Sequence, residues 1–211
     1  TAQKREQTLI DVAQSISVIS GTALETQQAT NFQDYLNLVP GLQLDQSTPG
    51  AGRLILRGLN TGGVASTVAV YVDETPFGSS SALANGGVLA GDFDTFDIAR
   101  VEVLRGPQGT LYGASSLGGL LKFVTNTPDP TKFEGRARGA IESTKGGDIS
   151  YRGNAVLNVP LGKTLALRAS GFYNKIGGFI DSIGTSGTDG VGMRKISDVA
   201  KNINDSMSYG G

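Results

Sequence analysis

Asp92, Asp94 and Asp97 lie within one short stretch and form the one acidic constellation whose spacing suits chemistry. Such carboxylates could hold a divalent cation or divide acid and base roles between them. They lack the central glycine of a calcium-binding loop, so solvated-loop and capping roles are expected of them, with no metal. Two glycine runs, Gly106-Pro-Gln-Gly109 and Gly113-Ala-Ser-Ser-Leu-Gly118-Gly119, have the look of phosphate loops. In the second, Gly119 occupies the place of the lysine that would grip the phosphates. Gly106, Gly109 and Gly113 are therefore expected to serve turns and close approach through positive φ. The chain contains 0 Cys and 0 His. Thiolate nucleophiles, imidazole bases, Ser-His-Asp triads, structural zinc and haem on its usual ligands are excluded together. A disulfide framework is excluded as well. No residue is assigned a catalytic role, and the expectation is that the protein is not an enzyme.

Lys and Arg number 18 against 19 Asp and Glu, a formal net charge of −1. Nucleic acid selects a basic excess and is not expected as a partner. The 211 residues allow one large domain or two small ones, with a buried core in either case. Glycine, at 31 residues, is nearly twice its ordinary usage of roughly 7%. Each glycine inside a helix costs about 1 kcal/mol, so this composition favours strands and tight turns over a helical bundle. No run reaches the roughly 18 apolar residues of a membrane helix, so a membrane role would need a β-barrel. The chain opens without Met or a leader pattern and is expected to be processed or excised.

The elements that would position these residues change character along the chain. Residues 10–20, with Val12, Ile16, Val18 and Ile19, read as a first strand closed by Gly21. Thr22-Ala-Leu-Glu25 has the capping-box spacing that opens a helix. Asn31 can cap a second helix, in which Phe32, Tyr35, Leu36 and Val39 recur at helical intervals before Pro40-Gly41 stops it. Residues 42–44 and 54–56 read as strands around a Ser/Thr/Pro/Gly loop, 45–52. Further strands are expected at 68–72, 101–104 and 122–125, which makes this region a small mixed α and β domain. After Thr127-Pro-Asp-Pro130 the pattern becomes strict alternation over 133–144, 149–159 and 165–174. Lys145-Gly-Gly-Asp148 and Pro160-Leu-Gly-Lys163 read as tight hairpins, and a long loop without a strand is expected after Phe179. Strands of about ten residues suit a transmembrane β-strand, whereas half-buried strands of a soluble sandwich alternate in the same way. Arg and Glu in mid-strand on the polar parity favour a watery lumen.

The run Asp97-Ile-Ala-Arg-Val-Glu-Val-Leu-Arg-Gly-Pro-Gln-Gly-Thr-Leu-Tyr-Gly113 resembles the signature of the plug domain of TonB-dependent outer-membrane receptors. In the expected order stand Asp34-Tyr-Leu-Asn-Leu-Val-Pro-Gly41, Leu54-Ile-Leu-Arg-Gly-Leu59, Val70-Tyr-Val-Asp73 with Pro76, and Gly118-Gly-Leu-Leu-Lys-Phe-Val-Thr125. Asn158-Val-Pro-Leu-Gly162 resembles the periplasmic hairpin between early barrel strands, and the likeness runs from about Glu6 to Tyr173. It implies an α+β plug domain with a small mixed sheet, followed by the first antiparallel strands of a roughly 22-stranded transmembrane β-barrel, incomplete here. The implied division is a flexible N-terminal lead at 1–9, the plug at 10–127, and the start of the barrel with a long loop at 128–211. Two departures stand out. Glu74 occupies a place where the family usually has Gly, and Thr1-Ala-Gln-Lys-Arg5 resembles only the stretch after the TonB box.

The resemblance implies active uptake of a scarce nutrient across a Gram-negative outer membrane, with the plug gating the barrel lumen and helping to bind ligand. A soluble secreted β-rich binding domain is the alternative reading. Implied partners are TonB with its ExbB/ExbD motor, outer-membrane lipid, and a ferric siderophore, cobalamin, oligosaccharide or aromatic ligand; no cofactor is implied. Arg57 and Arg105 match the two plug arginines that pair with barrel glutamates in the resembling receptors. A guanidinium suits that task because its charge persists and its fork grips a carboxylate at two points. Glu102 is expected as an internal partner, and the barrel glutamates would lie beyond Gly211, so both arginines are expected to lack them here. Ligand contacts are expected from loops 45–52, 60–66 and 78–91 through Ser47, Thr48, Asn60, Thr61, Ser79, Ser80 and Asn85. None of these loops holds an aromatic or basic cluster, which leaves the ligand open.

Overall fold

Ser20 both ends the first strand and starts the first helix. The computed structural model describes residues 14–27, 29, 34, 36, 38–48, 51–59, 67–77, 94–181 and 200–210. The chain divides between Thr127 and Pro128 into two units. Strand β1 (Ile16–Ser20) runs into helix α1 (Gly21–Thr26) with no loop between them. Ser20 holds an extended backbone and its hydroxyl accepts from the Ala23 amide at 3.2 Å, so the cap is Ser20 and not Thr22. Thr22 instead shares a hydroxyl–hydroxyl contact of 3.0 Å with Ser20. A capping side chain must itself sit on extended backbone, and the end of a strand provides that. Leu36 and Val39 are buried as a helix face would require, while Asn31, Phe32 and Tyr35 lie outside the described residues.

The first unit is built on a five-stranded mixed sheet in the order β1-β6-β7-β4-β5. Its other strands are β4 (Val68–Val72), β5 (Thr75–Pro76), β6 (Ile98–Arg105) and β7 (Gly119–Thr125). β4 and β7 are parallel, and the remaining pairs are antiparallel. β4 shows no alternation because both faces of the sheet are covered. On one face Val70, Val101, Val103, Leu121 and Phe123 pack against Leu24, Leu36, Leu54 and Leu56. On the other, Tyr71, Leu104, Leu120 and Tyr112 form a smaller cluster. Full burial of each such side chain contributes roughly 1.5–3 kcal/mol.

β2 (Leu42–Thr48) and β3 (Ala51–Leu56) form a separate hairpin whose register shifts between Gln46 and Thr48. The expected loop 45–52 is therefore mostly strand. Backbone ladders need no apolar side chains, and Asp45 pairs across to Arg53 as well as Leu44 does to Leu54. Composition misleads at this place because the hairpin extends past its core-facing residues.

A buried tyrosine pair closes the smaller cluster. The Tyr71 hydroxyl donates to the Tyr112 carbonyl oxygen at 2.7 Å, and the rings meet edge to face with centroids 5.2 Å apart. Burial, then the charges of Glu74 and Glu102 and the neighbouring Tyr71, push the Tyr112 phenol up to about 12. Burial and Glu74 raise Tyr71 as well. Below the ordinary tyrosine value of 10 both phenols are neutral in folded and unfolded chains, so their contribution is intact. Between 10 and about 12 the unfolded chain ionises first, and stability falls as pH rises. For Tyr112 the loss is at most about 2–3 kcal/mol. Urea titrations at pH 9 and 11.5 should show Tyr112→Phe losing less stability across that interval than the parent protein; equal losses would refute the assignment.

The second unit is a four-stranded antiparallel sheet in the order β11-β10-β9-β8. It comprises β8 (Glu134–Ser143), β9 (Ile149–Pro160), β10 (Ala166–Ile176) and β11 (Ser206–Gly210). β11 was not expected from the sequence. Its five residues pair with β10 from Phe172↔Gly210 to Ile176↔Ser206, a stretch too short to stand out within a Gly/Ser-rich segment. Burial here is inverted. Ile141, Leu157, Leu167 and Tyr209 are 81%, 45%, 58% and 73% exposed, while Ser150 and Asn158 of the opposite parity are 5% and 0% exposed. A soluble sandwich would bury the apolar parity, so the sheet has the polarity of a barrel wall with lipid outside and water within.

Candidate functional site

The ends of β3 and β6 bring two arginines together. Arg57 follows β3 with φ 58°, and Gly58 continues the turn with φ 74°. The Arg57 amide donates to the Gly41 carbonyl at 2.8 Å, which holds an arginine in a conformation that non-glycine residues rarely adopt. Arg105 ends β6, and Gly106 turns the chain with φ 91°. A Cβ built on Gly106 would sit 3.9 Å from Arg57 Nη1, so Arg57 reaches over the residue that follows Arg105.

Arg105 is held by the edge strand. Its Nη1 donates to Ser15 Oγ at 3.0 Å and its Nη2 to Ser17 Oγ at 2.6 Å, while its amide donates to the Ser15 carbonyl at 2.9 Å. Its Nε is shielded from solvent and has no hydrogen-bond partner. No ion pair to either guanidinium is present among the described residues. Sequence reasoning missed Ser15 and Ser17. Only the register Ser17↔Val103, next to Ile16↔Leu104, reveals that they flank Arg105.

Glu102 is not where an internal partner of these arginines would have to be. It stands three positions before Arg105, and period-two alternation sends it to the other face of β6. There it is 3% exposed and accepts from Arg100 Nε at 2.7 Å. Lys122, directly across the ladder from Glu102, is 1% exposed and its Nζ binds Glu74. The departure at Glu74 thus has a structural reason: it supplies the carboxylate that a buried lysine needs. The turn's left-handed position falls on Asp73 (φ 52°), whose carboxylate accepts from the Thr125 amide and hydroxyl, both at 2.9 Å. Aspartate tolerates that conformation. The unusual Glu74 was the available signal for this network.

The remaining candidates separate cleanly. Asp94 accepts from the Phe96 amide at 2.8 Å and closes a local turn, whereas Asp97 accepts from Asn126 Nδ2 at 3.0 Å and ties the start of β6 to the end of β7. No group of three metal-binding side chains occurs among the described residues, and Asp92 lies outside them. Gly113 has φ 72°, but Gly109 opens the short helix α2 (Gly109–Tyr112) and has no positive φ, contrary to expectation. Ser47 and Thr48 lie near the end of β2, and their side chains are outside the described structure. Asn60, Thr61, Ser79, Ser80 and Asn85 also lie outside the described residues.

Comparison with known proteins bears on this arrangement. The family described as TonB-dependent Receptor Plug Domain matches residues 8–120. The vitamin B12 transporter BtuB of Vibrio vulnificus is 30% identical over 187 residues, covering 87% of this chain and 28% of that protein. The pesticin receptor of Yersinia pestis is 31% identical over 180 residues, covering 76% of this chain and 24% of that receptor. Among solved structures, the ferric yersiniabactin uptake receptor FyuA from Yersinia pestis matches with TM-score 0.55 and 32% identity, over 77% of this chain and 24% of its own. The ferripyoverdine receptor of the Pseudomonas aeruginosa outer membrane matches with TM-score 0.68 over 86% of this chain and 23% of its own; its 24% identity speaks to fold alone. The chain spans about a quarter of the length of the curated relatives it matches.

Proposed function

We propose a function from one premise, that this chain belongs to the TonB-dependent receptor family: it is the plug and the opening barrel strands of an outer-membrane receptor for active nutrient uptake. The inverted burial of β8 to β11 carries this reading, because a wall that shows lipid its apolar parity and water its polar parity suits a transport barrel. The plug gates the lumen, and the ligand is a metal-bearing chelate of the kind named for the B12 and yersiniabactin relatives.

Arg57 and Arg105 anchor the plug to carboxylates of the barrel wall. Two arginines at neighbouring strand ends, Arg57 beside Gly106 and Arg105 with a shielded and unpartnered Nε, suit such acceptors. TonB, energised by its motor complex, acts on the chain ahead of β1. Among the described strands β1 pairs only with β6, and an edge strand is the easiest part of a sheet to peel. Peeling it removes Ser15 and Ser17 from Arg105, so traction on the N-terminus reaches the anchor directly.

Chelate uptake by cells carrying the intact receptor tests the reading. Collapse of the inner-membrane proton gradient should stop accumulation while surface binding of the chelate persists. Accumulation that continues at the same rate would overturn the proposal.

A further inference from the structure

We propose that Lys175, seated with Tyr151 and Tyr173 on the apolar face of β9 and β10, binds the phosphate of an outer-leaflet lipid headgroup. The inference rests on the reading that this sheet spans the outer membrane. Lys175 lies across the ladder from Tyr151 on one side and Met207 on the other. Its Nζ stands 5.5 Å from the centre of the Tyr151 ring, and the Tyr151 and Tyr173 rings stack with centroids 6.4 Å apart. The Tyr173 hydroxyl reaches the Met207 sulfur at 3.3 Å, which ties the cluster across three strands. Every other residue of that parity in β8 to β11 is uncharged.

A lone cation on a lipid-facing wall needs a reason. Lysine on that face is costly at the bilayer midplane and nearly free at the interface, where tyrosines also collect. Lys175 is the penultimate residue of β10, at the end where the chain runs from 177 to 205 before β11 begins; the turn at the opposite end covers only 161–165. Long loops face the exterior in such barrels and short turns the periplasm, which places Lys175 at the outer headgroup level. The anions supplied at that depth are lipid phosphates. The ammonium is hydrogen-bonded to Tyr151 beside that ring, and its remaining protons are left for one of them. Asp205, just before β11, is the carboxylate that competes for this charge.

The test uses the intact receptor in mild detergent with two lipids of identical acyl chains, one bearing a headgroup phosphate and one lacking it. Native mass spectrometry counts the lipids retained. Lys175→Gln should reduce retention of the phosphate-bearing lipid about fivefold, the factor one lysine carries near an anionic surface, and leave the other lipid unchanged. Lys175→Arg should retain it, and Asp205→Asn should retain more. Equal retention of both lipids by the parent receptor, or undiminished retention by Lys175→Gln, would overturn the proposal. Heat-modifiable migration of the receptor from outer-membrane fractions checks the spanning reading separately; its absence would sink that reading and this proposal with it.

Discussion

Replacing Arg57 and Arg105 together by Ala in the intact receptor should make the outer membrane leak small antibiotics while the barrel stays folded. The Arg57 guanidinium lies beside Gly106, the residue that follows Arg105, and Arg105 is half shielded. Leaving a buried charge without its partner costs roughly 3–5 kcal/mol, and the exposure of Arg57 brings the expected figure below that. If both anchor the plug, either single change should leak less, because the remaining arginine would still grip the wall. Lysine at both positions should rescue poorly, since a point charge cannot reproduce a two-point grip. Antibiotic sensitivity and chelate uptake, measured at equal receptor abundance, decide the matter. A double variant indistinguishable from the parent in both would reduce these residues to ordinary surface arginines.

Gly119→Ala is expected to unfold the first unit. Gly119 begins β7 with φ 150°, and a methyl group there would collide with the Leu104 carbonyl oxygen and with Leu56 Cδ2. Neither neighbour can yield: Leu104 is in the adjoining strand, and Leu56 is fully buried. Backbone strain and overpacking together cost about 3–5 kcal/mol, a large share of a marginal total stability of roughly 5–15 kcal/mol. Gly58→Ala is the control, with φ 74° and nothing within 4 Å of an added Cβ. It should cost about 1–2 kcal/mol. Hydrogen exchange of the β6 and β7 amides in the two variants distinguishes them. Comparable protection in both would show that the crowding at Gly119 relaxes freely.

Much of the architecture was legible because side-chain period and backbone period coincide. In β8, β9 and β10 every second residue changes character, and strand limits followed within one or two residues. The run around Arg105 was legible for another reason: its residues are contiguous, so their order alone carries the family resemblance. Where the reading failed, the cause was length or context. β11 is five residues long, the outer half of the β2–β3 hairpin carries polar side chains on a paired backbone, and the cap at Ser20 depends on a strand ending where a helix begins.

By itself the amino-acid order determined that the second unit alternates, and Arg and Glu on one parity favoured a watery lumen there; alternation alone left a soluble sandwich open, because periodicity has no sign. Inverted burial across four paired strands supplied that sign. The same holds for the charges. Alternation in β6 separates Glu102 from Arg105 as a matter of parity, but which partners each finds depends on residues far away in the chain. Glu74 reaches Lys122 because β4 lies parallel to β7, and Ser15 and Ser17 reach Arg105 because β1 is the strand beside β6. Pairing between distant strands is a property of the folded sheet, and local sequence holds no record of it.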